Sequence, residues 1–287
     1  MSNRNRRSPA VAGVFYPSTK DELYHLLELS FKDKRFGPGE IPPDKSQSST
    51  KKIFGIVSPH AGYIYSGSVA ANAYYKISTN RFNSVIMIGP NHYGIGPGLA
   101  TLKDGEWETP LGFVGVDSDL ANGISEDVEA LDFDELAHSR DHCLEVQLPF
   151  LQYIKTTQFK ITPIIMIMQD IETALKLGNS IARVTRTRNN EVVLIASSDF
   201  THYESNEDAH RKDSQLIDSI LSLDISAFYD TLERLNVTAC GFGAIAAVMT
   251  AVKALGATRG QLLKYATSGD VRGDKTSVVG YASIIFI

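Results

Sequence analysis

Short apolar runs alternate with helical repeats along most of this chain, and that rhythm carries the reading of its fold. Ile53 to Ser58, Ser84 to Ile88, Lys160 to Ile167 and Glu191 to Ala196 are brief, largely apolar segments, the pattern of strands buried on both faces. Between them, Ser66 to Ile77, His142 to Ile154 and Ile171 to Val184 repeat apolar positions at helical spacing, as does the earlier stretch Asp21 to Phe31. Strands alternating with helices predict an α/β fold with a mixed, largely parallel central sheet flanked by helices. Near the C-terminus, Leu262 to Thr267 and Ser277 to Phe286 are both strand-like and are separated by the turn-rich Ser268 to Asp274, so they are expected to pair as neighbours in that sheet.

Lys32 to Lys52 is rich in Pro, Gly, Ser and Lys and has no period, which predicts a flexible surface loop near 34–52. No composition break follows Ile53 and no repeat is visible, so residues 1–287 read as one domain. The 43% hydrophobic content suits a full-sized core, and the net charge of -5 argues against a nucleic-acid footprint, which needs a dense basic face. The basic cluster Arg4, Arg6 and Arg7 reads as a solvated N-terminal tail. No apolar stretch follows it, so a secretory signal is not expected and a cytosolic location is. The longest apolar helix candidate starts near Gly241 and meets Lys253, well short of the roughly 20 residues a bilayer crossing needs.

In open α/β sheets ligands bind beyond the carboxyl ends of the strands. The first predicted strand runs into Pro59-His60-Ala61-Gly62-Tyr63, the second into Gly89-Pro90-Asn91-His92, and a later one into Ser197-Ser198-Asp199-Phe200-Thr201-His202. Any one of these histidines alone reads as an ordinary loop residue. Delivered together to one sheet edge, His60, His92, His202 and Asp199 point to a functional site. His25, His138 and His210 lie in helical or acidic stretches and read as surface residues.

Cys240 precedes Gly241 at the start of the apolar helix, where the helix dipole is expected to lower the thiol pKa and favour the thiolate. Cys143 sits in the amphipathic run His142 to Leu148 and reads as core. His142 and Glu145, three positions apart, are expected on one helix face as a pair orienting the groups that touch a ligand. Tyr63, Tyr65 and Trp107 are candidates to line a pocket for an aromatic or peptide substrate.

Several of these segments also carry a resemblance. Pro-His-Ala-Gly-Tyr at 59–63, Gly-Pro-Asn-His at 89–92, His-x-x-Glu-x-x-Leu-Pro at 142–149, Ser-Ser-Asp-Phe at 197–200 with His202, and Cys240-Gly241 resemble the Memo family in order and spacing. The early Ala12-Gly13-Val14-Phe15-Tyr16-Pro17 is similar to that family's entry segment, so the likeness covers nearly the whole chain. It implies a fold similar to the catalytic subunits of class III extradiol dioxygenases, which hold non-haem Fe(II) on two histidines and a carboxylate. His60 and His92 would be the histidines, and Cys240 would take the carboxylate position, a departure that argues against ring-cleaving activity. A thiolate keeps the negative charge but is softer, shifting preference toward Cu(I), Zn(II) or a thiolate-tuned Fe(II).

The resemblance therefore implies a metal-dependent oxidoreductase with Fe(II) or Cu, and Zn(II) as a third candidate, on His60, His92 and Cys240. Asp199 and His202 would act as general acid and base. It also implies a functional link to a radical S-adenosylmethionine enzyme and an AMMECR-type protein. Two other readings stand beside it: a non-catalytic module using the same pocket for a peptide or small ligand, and a thiol enzyme with Cys240 as nucleophile and His60 or His92 as base.

Overall fold

The computed structural model describes residues 5–43, 52–155, 157–188 and 191–287. Arg4 and residues 44–51 of the expected loop lie outside them. In chain order the strands are β1 (Arg6–Arg7), β2 (Gly55–Ser58), β3 (Ser84–Pro90), β4 (Leu99–Thr101), β5 (Glu106–Thr109), β6 (Gly112–Val116), β7 (Leu131–Phe133), β8 (Lys160–Met166), β9 (Val192–Ser197), β10 (His202–Glu204), β11 (Gly260–Thr267) and β12 (Val278–Phe286). The helices are α1 (Lys20–Lys32), α2 (Tyr63–Ile77), α3 (Ser118–Ser125), α4 (Glu135–His138), α5 (Leu148–Ile154), α6 (Ile171–Arg186), α7 (Asn206–Leu221), α8 (Ile225–Leu235), α9 (Phe242–Leu255) and α10 (Ser268–Arg272). A single 3-10 turn, Glu145–Gln147, leads into α5.

The sheet is built around four strands in the order β8-β3-β9-β2, paired in parallel. On one side β12 pairs β2 and β11 pairs β12, both antiparallel; on the other β6 joins β8 in parallel and carries β5 as an antiparallel hairpin. The largely parallel α/β expectation holds, as does the pairing of the two C-terminal strands.

Alternation along the central strands divides the core in two. Val85 and Met87 of β3, Val193 and Ile195 of β9 and Ile56 of β2 face a cluster completed by α1, α2 and α5. Ile86 and Ile88, Leu194 and Ala196, and Val57 face the opposite cluster, completed by α3, α6, α7, α8 and α9. Covering both faces excludes water from the strands, so the polar residues that follow them gather at one edge. Among the described residues no helix is long and apolar enough to cross a membrane.

Two expectations for the N-terminal half are corrected. The Arg7 side chain is only 8% exposed and is bound into the body of the protein, whereas Arg6, at 61%, fits the solvated reading. His138 is buried at 1% exposure beneath Trp107, because α4 packs against the sheet through Ala137 and His138.

Helices α6 and α9 meet at Gly178, where an added Cβ would lie 2.5 Å from the Ala247 carbonyl oxygen and 2.6 Å from Thr250 Cβ. Alanine is the better helix former by about 1 kcal/mol, but here the backbone collision decides. Gly178→Ala should destabilise the protein by about 1–3 kcal/mol. An unchanged or raised denaturation midpoint would contradict this packing.

Candidate metal centre

Two strand ends and one loop bring three histidines together. After β2 the chain turns at Pro59 and places His60 inside, at 1% exposure. After β3 it presents His92, whose side chain keeps 29% exposure. The third imidazole comes from His142, in the loop before the 3-10 turn, with its side chain 17% exposed. Ring nitrogens of His60, His92 and His142 all lie within 4.8 Å of one another. The rings of His92 and His142 stack at 4.5 Å between centroids, and His60 stands nearly perpendicular to both.

Asp141 holds one side of this cluster. It accepts from the His92 backbone amide at 2.7 Å and from the Cys143 amide at 3.0 Å, and His92 Nδ1 lies 3.1 Å from its Oδ1. Burial pushes this carboxyl's pKa up, but the hydrogen bond from His92, its charge and the two amides outweigh burial and hold the pKa below the ordinary carboxylate range. A carboxylate can only accept, so His92 donates from Nδ1 and offers Nε2 outward. Burial and the neighbouring His92 lower the His142 pKa to about 4, and His60 is held well below its ordinary value by burial, His142 and His92. His60 and His142 are thus neutral near pH 7, the form that binds metal.

Cys240 sits just before α9, in a turn pressed so tightly on β9 that a Cβ at Gly241 would lie 2.4 Å from the Ser197 carbonyl oxygen. Its Sγ is 3.1 Å from His60 Nε2 and receives the Asp199 amide at 3.3 Å. The expected lowering of its pKa is overturned: burial and the nearby Asp199 carboxylate raise it, outweighing the Asp199 amide and Ser198. A local dipole falls short where a partly enclosed thiol lies beside a carboxylate. Cys240 touches one histidine but does not join the three-ring group, so the preassembled third member is His142.

Asp199 accepts from the His60 amide at 2.8 Å. Burial raises its carboxyl to about 6, partly offset by that amide and by His202 and His92. The ring of His202 is fixed by Nδ1 donating to the Thr238 carbonyl at 2.9 Å, which leaves Nε2 as an acceptor. Directly after it, Tyr203 takes a φ of 60° at an irregular step in the pairing of β10 with β12.

The expected orienting role of Glu145 toward His142 is taken up elsewhere. His142 precedes the turn, where its ring packs against Phe15 at 4.6 Å. Glu145 is fully buried and faces the N-terminal segment, accepting from the amides of Ala10 and Val11, from Tyr16 Oη at 2.6 Å and from Arg7 at 2.6 Å. Arg7 also donates to the carbonyls of His138 and Asp141. Glu145 therefore straps residues 7–16 beside the site and does not orient His142.

Tyr63 is likewise interior, its hydroxyl donating to the Val146 carbonyl at 2.6 Å. Trp107 lines a cavity of about 550 Å³ with Arg7 and His138, away from the three histidines. Tyr65 is 39% exposed and lies near Arg272. Cys143 is buried as expected, with Sγ donating to the Pro90 carbonyl. Sequence reasoning missed Asp141, Ser197 and Gln147; the only signal for Asp141 was its place directly before His142.

Two measurements follow. Arg7→Met leaves the buried Glu145 charge without its ion-pair partner and should cost about 3–5 kcal/mol in denaturant unfolding, whereas a loss under about 1 kcal/mol would place the pair at the solvated surface. A carboxyl NMR titration should find Asp199 changing state near pH 6. Because its folded pKa is raised, its contribution to stability is fully present below about pH 4 and is lost as pH rises through about 6. A midpoint at the ordinary carboxylate value of about 4 would contradict its burial.

Comparison with known proteins gives the family. The family model described as Memo-like protein matches residues 7–285. A MEMO1 family protein of Nitrosopumilus maritimus is 49% identical, the match covering 98% of this chain and 99% of the relative. Others from Methanopyrus kandleri and Methanocaldococcus jannaschii are 46% and 43% identical, covering 98% and 97% of this chain and 98% of each relative. With near-complete coverage in both directions and a shared family model, this chain belongs to the Memo family.

Proposed function

We propose that this protein is a metal-dependent redox protein whose ion, Fe(II) or Cu with Zn(II) as a third candidate, is held by His60, His92 and a further donor from His142 or Cys240. The convergence of three imidazoles within 4.8 Å carries the reading. Three nitrogens about 2.1 Å from one ion lie about 3.4–3.6 Å from one another, a spacing that rings already within 4.8 Å reach by side-chain adjustment. Imidazole suits Fe, Cu and Zn alike, and the aspartate behind His92 is the usual support for a ligating ring. An ion there supplies Lewis acidity and, for Fe or Cu, a one-electron couple.

The chain's own residues would do the rest. Asp141 fixes His92, and Phe15 shields one side of His142 from water. Asp199, titrating near neutrality, and His202, with Nε2 free to accept, can hold and release a proton beside the histidines. Cys240 lies beside His60, where ligation would favour its thiolate despite burial.

The same Cys240–His60 contact favours a second reading, a thiol nucleophile with His60 as its base. Metal analysis separates the two. Protein purified without oxygen or chelator, then titrated with Fe(II), Cu(I) and Zn(II), should carry near-stoichiometric metal. His92→Ala should abolish it, and Cys240→Ser should weaken Cu(I) more than Zn(II). No affinity for any of the three ions would sink the metal reading. Stoichiometric alkylation of Cys240 in that metal-free protein would then favour the thiol enzyme, and an inert thiol the peptide or small-ligand module.

A further inference from the structure

We propose that Ser197, held by Gln147, is a positioning residue that locks His60 in the tautomer protonated at Nδ1, so that the unprotonated Nε2 faces Cys240 and the histidine cluster. The tautomer follows from the fold; its use in holding an ion rests on the metal reading above.

Two backbone carbonyls decide the matter, because a carbonyl can only accept. Gln147 Nε2 lies 3.0 Å from the Pro59 carbonyl oxygen, so that atom of the amide must be the nitrogen, while Oε1 accepts from Tyr74 Oη. The same amide nitrogen donates to Ser197 Oγ at 2.8 Å. Ser197 has one proton, and it goes to the Cys143 carbonyl at 2.6 Å. His60 Nδ1, 3.0 Å from Ser197 Oγ, meets an oxygen with nothing left to donate. Nδ1 must therefore carry the proton, and Nε2 keeps its lone pair toward Cys240 Sγ at 3.1 Å.

Ser197 is fully buried and Gln147 is 1% exposed, so water does not compete for these bonds. The frame is continuous with the one behind His92. Cys143 accepts from Ser197 through its carbonyl and donates through its amide to Asp141, which fixes His92. One backbone unit thus ties the orientation of His60 to that of His92.

The first test needs no mutation. In uniformly nitrogen-15-labelled, metal-free protein, the His60 ring should show a pyrrole-type Nδ1 and a pyridine-type Nε2 by long-range proton–nitrogen correlation. A protonated Nε2, or averaged signals from both tautomers, overturns the proposal. Ser197→Ala should bring averaging and weaken Zn(II) binding on the order of tenfold. Ser197→Thr, which restores the hydroxyl, should recover both. Zn(II) affinity that is unchanged in a folded Ser197→Ala overturns the positioning role. A wild-type protein that binds none of Fe(II), Cu(I) and Zn(II) yet shows the Nδ1–H tautomer removes the metal reading and supports the lock.

Discussion

A polar group carried into the interior of a protein has to find a partner there, and in this molecule that constraint falls most heavily on Asp141 to Gln147. The segment lies between the strand ends and the N-terminal strap and satisfies groups on both sides. Asp141 binds His92, the Cys143 carbonyl receives Ser197, Glu145 collects Arg7, Tyr16 and two amides, and Gln147 joins Tyr74, Pro59 and Ser197. Replacing any of these side chains strands a buried donor or acceptor elsewhere in the set. The histidine cluster is therefore held by a stiff polar frame set against an apolar sheet.

Burial also sets the charge states around the cluster, and it acts with opposite results on different groups. It depresses His60 and His142, keeping them neutral, while it raises Asp199 and Cys240. Asp141 escapes the rise because His92 and two amides are aimed at it. Neutral nitrogen donors thus lie beside one carboxyl that titrates near neutrality, and a firmly ionised carboxylate stands behind His92. Cys240 shows how one location supports two chemistries: its contact with His60 fits metal ligation and thiol activation equally, and only the occupant of the histidine cluster distinguishes them.

Much of the architecture was legible in the chain. Strands buried on both faces are continuous apolar runs, and helices covering them repeat at helical spacing, so β2, β3, β8 and β9 and α2 and α6 were visible within a few residues. The rule that ligands gather at the carboxyl ends of such strands placed His60, His92, Asp199 and His202 at one edge. Local pattern failed where a residue's partner lies far away in sequence. Arg7 reads as a solvated tail because Glu145, Asp141 and His138, the groups that bury it, are more than 130 positions distant. His142 and Glu145 read as a pair on one helix face, but Glu145 spends its oxygens on Arg7, Tyr16 and the amides of Ala10 and Val11.

By itself, then, the sequence determined the layered α/β fold, the edge at which chemistry gathers and the family, since periodicity and short motifs are local properties of the chain. Tertiary structure decided which donors meet, that His142 joins His60 and His92 while Cys240 meets His60 alone of these three, and that the Cys240 thiol is raised. It also decided that Ser197 and Gln147 orient His60. Each of these depends on distance and solvent exclusion between segments remote in sequence, and hydrogen-bond direction and dielectric environment exist only once those segments are packed together.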